Sequence, residues 1–160
     1  MRAPACCSAA GAAKPAFYHL SFQEFLAAEH LARTRREPDW FTAVVAVRAP
    51  VAEWRLTLSF LFGRMLERNG EQWALEATRD LLATQDRAAV RANPAPAVVC
   101  ADWLEMLKRK GVNLFDLKDR YAALALTAIA DEAPVKDRFR LGIVLGLVGD
   151  PRLGDPRDPL

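Results

Sequence analysis

The chain has 160 residues, 52% of them hydrophobic, and a net charge of +2. That length fits one domain able to bury most of its apolar surface. The small, interspersed charge gives no basic face for nucleic acid, and no apolar run approaches the roughly 18 residues that span a membrane.

Residues 1–16 are Ala, Pro, Gly and Cys without periodicity and read as disordered or loosely extended. Their apolar stretch is broken by Pro4, Gly11 and Pro15 and lacks the bulky residues of a signal peptide. Cys6, Cys7 and Cys100 make neither a disulfide framework nor a zinc motif, so the expectation is a reduced, cytoplasmic protein with Cys100 as a small core residue.

Phe17 to Leu20 is a short apolar entry into the first helix, which the periodicity predicts from Phe22 to about Arg36. Ser21 at the N-cap and Glu24 three residues later form a capping box, and Leu20 with Phe25 has the spacing of a hydrophobic staple. A second helix is expected from Trp40 to Val47 after Asp39 as N-cap. Pro50 is placed to open a third at N1, carrying Trp54, Leu58, Leu61, Phe62, Met65 and Leu66, and Asn69-Gly70 closes it.

Glu71 to Ala83 follows, then a weak segment from Asp86 to Ala92 ending at Asn93-Pro94. Val98 to Lys110 turns Trp103, Leu104, Met106 and Leu107 inward, sets Lys108, Arg109 and Lys110 at its negative end, and stops at Gly111. Asp116 to about Glu132 is the next helix, and Pro134 starts the last, which stops at Gly149. The tail 150–160 is rich in Pro and Asp and reads as irregular. Strand patterns are short and flanked by helical ones. The fold class is therefore all-α: antiparallel helical hairpins forming a short, HEAT-like α-solenoid over residues 17–149.

Two strings carry a family resemblance. Phe17 to Leu31 follows F-x-H-x-S-F-Q-E-(F/Y)-x-A-A-x-x-L, which resembles the winged-helix end of NACHT-type STAND signalling ATPases; residues 17–36 are the part concerned. The resemblance implies that His19 lies near the phosphates of bound ADP or ATP in a complete assembly, while Gln23 and Glu24 have structural roles. Arg138 to Arg152 is similar to the R-x-x-x-G-x-x-L-x-x-L-G-D-P-R ending of helical repeats that in bacterial NACHT proteins precede a sulfatase-modifying-factor-like domain, with Val148 in place of the usual Leu.

The chain has no phosphate-binding loop of the form G-x-x-x-x-G-K-(S/T); the glycine-rich run from Gly142 to Gly149 lacks the Lys-Ser or Lys-Thr such a loop needs. No apolar strand ends in an acidic pair that could hold magnesium. The expectation is thus a fragment lacking both ATPase core and effector domain, non-catalytic by itself, with no cofactor or metal of its own. Its expected partners are proteins: the ATPase core, further copies of itself, or an effector whose output it couples to nucleotide state. The alternative from another class is a free-standing α-solenoid scaffold that binds a protein or peptide.

His30, next to Glu29, reads as a solvated surface residue, and Ser21 is explained by capping without any nucleophilic role. Trp40, Trp54, Trp73 and Trp103, one per helical segment, read as packing residues. The Gly142-x-x-x-Gly146 step is expected to let a neighbouring helix approach closely, and the Arg33 to Arg36 cluster to sit at a helix C-terminus.

Overall fold

A computed structural model describes residues 20–34, 39–130 and 133–153. All its regular elements are helical: α1 (Leu20–Thr34), α2 (Trp40–Arg48), a 3-10 turn (Ala52–Trp54), α3 (Arg55–Ala83), α4 (Arg87–Ala92), α5 (Ala95–Arg109), α6 (Leu117–Ala130) and α7 (Val135–Val148). The all-α expectation holds. His19, Cys6, Cys7, Arg35, Arg36 and the tail from residue 154 lie outside the described residues.

The helices form two rows. In one, α1 packs on α3, α3 on α5 and α5 on α7; in the other, α2 covers α3, and α6 covers α5 and α7 while also touching α3 and α4. Gly70 divides α3 into two arms: its backbone (φ 85°, ψ 178°) lies in a region essentially reserved for glycine. The Asn69-Gly70 stop is therefore real as a kink, although helical residues continue on both sides. The first arm (55–69) meets α1 and α5, and the second (71–83) meets α2, so a single long element serves both rows.

Aromatic rings hold this junction. Phe62 on the first arm stacks on Trp103 of α5, with centroids 4.4 Å apart and planes 6° from parallel. Trp73 on the second arm meets Phe41 of α2 edge-on at 4.8 Å, and Phe41 reaches Trp103 at 5.8 Å. Such pairs add about 0.5–1.5 kcal/mol each beyond the area they bury. Trp103 is fully buried, while Trp40, Trp54 and Trp73 are half-buried against the core, in keeping with packing roles. Cys100 is buried as expected; desolvation raises its thiol well above the ordinary value, which suits an inert core residue.

Helix ends follow local chemistry, with four corrections. Ser21 lies inside α1, whose first described residue is Leu20, so it is not the N-cap; Phe25 meets Phe60 of α3 edge-on at 5.7 Å, while Leu20 is exposed. Asp39 takes the N-cap position of α2 as expected; the correction there is that its side chain makes no capping bond. Pro50 does not open α3, because the corner after α2 is a tight turn. There Arg48 lies 4.5 Å over the Trp54 ring, the Val51 carbonyl accepts from the Trp54 N–H at 3.0 Å, and Asn93 Nδ2 donates to the Pro50 carbonyl at 2.8 Å.

The fourth correction concerns α5, which begins three residues before the expected Val98. Asn93 Oδ1 accepts from the Ala95 N–H at 3.0 Å, and Pro96 falls in the first turn, where its missing donor costs nothing. Two other ends match their signals. Asp86 caps α4, accepting from the Ala89 N–H at 2.7 Å. Gly111 (φ 78°) ends α5 in a Schellman motif, with Val112 N–H donating to the Leu107 carbonyl and Gly111 N–H to that of Lys108, both at 3.0 Å.

Candidate functional site

His19, the one nucleotide-contact candidate, lies outside the described residues. The described part of its motif, from Leu20 onward, forms the first turns of α1. Glu24 Oε2 is buried there with no hydrogen-bond partner. His30 is exposed on α1. Among the described residues no group of three or more His, Cys, Asp or Glu side chains could hold a metal ion.

Sequence reasoning missed a polar centre that joins three helices. Asp102 sits on the buried side of α5 between Ala101 and Trp103. Arg55 of α3 grips it twice, Nε to Oδ2 at 2.6 Å and a terminal nitrogen to Oδ1 at 2.9 Å. Ser59 Oγ donates to Oδ2 at 3.2 Å, and Arg140 of α7 donates to Oδ1 at 2.7 Å. Arg140 also pairs with Glu105, one turn along α5, which Arg109 holds from the other side at 2.6 Å.

Burial alone would raise the Glu105 carboxyl, but the guanidiniums of Arg140 and Arg109 outweigh it and hold the group below its ordinary value. Burial likewise pulls Arg140 down, and its bonds to Glu105 and Asp102 reverse that and raise it. Each carboxylate oxygen in this set accepts from at least one of these donors. Ser59 donates into a carboxylate and has no histidine beside it in the set. The arrangement cannot offer a free base or an activated nucleophile; it is a clamp tying α3, α5 and α7 together. The available signal was Asp102 itself, a charge at a core position of an amphipathic helix, which requires buried partners.

Two surface features remain. A half-open cavity of about 250 Å³ lies between α2, the second arm of α3 and the start of α5, walled mainly by apolar side chains. The outer side of α7 exposes Val135, Phe139, Ile143 and Leu147, with Phe139 70% accessible. Gly142 and Gly146 belong to that side, and a Cβ built on either would meet nothing within 4 Å. The expected close helix approach at this glycine step is absent among the described residues, because α7 packs through the opposite side, Leu141, Val144, Leu145 and Val148.

No family model matches the chain, and the searches of curated proteins and of solved structures found no match either.

Proposed function

We propose that this chain is a non-catalytic helical interaction module of a NACHT-type STAND protein, coupling nucleotide state to oligomerisation or effector output. The observation that carries the reading is the Phe17 to Leu31 string, whose described part forms the start of α1. The exposed apolar sides of the two end helices support it. Leu20 and Leu26 on α1 and Val135 and Phe139 on α7 are large and accessible at opposite ends of the row α1–α3–α5–α7, where flanking domains or further copies would stack. The polar centre, spent on internal ion pairs, leaves the helices a mechanical role. In this reading His19 contacts nucleotide phosphate only when an ATPase core is present, and the chain works in the cytoplasm.

Phosphate release from ATP by the purified chain tests the non-catalytic part. The expected result is no release above buffer, in the parent chain or in His19→Ala. Release that disappears in His19→Ala overturns it.

A free-standing protein-binding scaffold is the second reading, and the cavity beside α2 is the observation that favours it.

A further inference from the structure

The cavity beside α2 has the features of an anchor site. Phe41 and Val45 of α2 and Leu81 of α3 are buried core residues that also wall it, so its lining is held by packing on the far side. Buried Pro96 of α5 and exposed Ala46 of α2 also line it. Asp80 is the one charged residue among those lining it. Its carboxylate is exposed and has no ion-pair or hydrogen-bond partner. Arg79, its neighbour in the chain, pairs with Asp116 at 3.4 Å, and Arg48, beside the lining residue Ala49, lies over Trp54.

We propose that this cavity receives one large apolar side chain of a partner polypeptide, with a Lys or Arg beside it pairing with Asp80. The volume of about 250 Å³ argues for a single side chain, since pockets for whole small molecules run from about 300 to 1,000 Å³. Interfaces concentrate their affinity in such buried aromatic or aliphatic anchors. The unneutralised carboxylate at the mouth sets the charge of the neighbouring residue and disfavours an acidic one. The inference rests on the protein-binding part of the function proposed above and adds to it a place and a chemistry.

The test uses the full chain labelled with ¹⁵N and two probes, N-acetyl-tryptophanyl-lysine amide and N-acetyl-tryptophanyl-glutamate amide, with tryptamine as a third. The lysine probe is expected to move the amide signals of residues 41–49 and 77–85 and to bind at least about threefold more tightly than the glutamate probe, the sense set by Asp80. Asp80→Asn should abolish that preference. Ala46→Trp, at an exposed lining position, should block both probes while the circular dichroism spectrum stays helical, and Thr42→Trp serves the same purpose if Ala46→Trp does not fold. Equal affinity for the two dipeptides, or shifts confined to another surface, overturns the inference. Tighter binding of tryptamine than of the lysine probe also overturns it, by reassigning the site to a small amine. None of these failures bears on the phosphate-release test, so the two proposals fall separately.

Discussion

Arg140 of α7 donates to Asp102 of α5 at 2.7 Å, and the same carboxylate is gripped by Arg55 of α3. One buried acid thus joins three helices from different parts of the chain. Asp102→Ala should leave both guanidiniums without their partner and destabilise the fold by about 2–4 kcal/mol. That is somewhat less than for a fully enclosed pair, since Arg55 and Arg140 keep some water. The shift of the urea-unfolding midpoint at constant slope measures it.

The same centre sets a pH dependence. The folded-state value of Glu105 lies below the ordinary 4.5, so its ion pairs stabilise the fold above that pH. The unfolded chain binds the proton first as pH falls, and the contribution is lost as pH drops from 4.5 through the folded value. Glu105→Gln should remove this part of the acid-range slope. Unfolding midpoints taken from neutral pH to pH ~3 compare the two proteins in the range where carboxylates titrate.

Trp103 is fully buried, yet its indole N–H has no hydrogen-bond partner. The ring earns its place through the Phe62 stack and not through the nitrogen. Trp103→Phe should therefore cost clearly less than Trp103→Ala, for which about 3–5 kcal/mol is the usual loss for a buried aromatic. Thermal melts of the two variants decide this, and equal losses would mean that the indole shape or its N–H matters more than the contact geometry implies.

The glycines separate into two kinds. Gly70→Ala should destabilise by about 1–3 kcal/mol, because φ 85° with ψ 178° strains any side chain, even though a Cβ there meets nothing within 4 Å. Gly142→Ala and Gly146→Ala sit in regular helix beside open space and should each stabilise by about 0.4–1 kcal/mol. Destabilisation at Gly142 or Gly146, read from the same melts, would point to a helix seated on that side of α7.

The exposed apolar sides of α1 and α7 predict that the chain is marginally soluble or self-associates. Light scattering should show mass rising with concentration, and Phe139→Asp, at a position 70% accessible, should reduce it without loss of helix signal. A compact monomer at high concentration contradicts this.

Where the sequence was legible, the information was local. Apolar spacing gave α5, α6 and α7, Asp86 announced the start of α4 and Gly111 the end of α5, and the Asn69-Gly70 pair marked the kink in α3. What escaped depended on distance along the chain. Arg55 and Arg140 reach Asp102 from positions 47 and 38 residues away, and no short motif links them. The α2 cavity likewise draws its walls from three elements. The Gly142-x-x-x-Gly146 spacing implied a close neighbour, but spacing alone does not say which side of a helix packs. Ser21 fitted a capping box because a polar residue beside an apolar run looks the same just inside a helix as at its cap.

The link to a nucleotide switch is the central claim, and the coding DNA immediately upstream of Met1 tests it most directly. The account predicts an encoded phosphate-binding loop, G-x-x-x-x-G-K-(S/T), followed by the remainder of an ATPase core. Its absence there in every reading frame contradicts the claim.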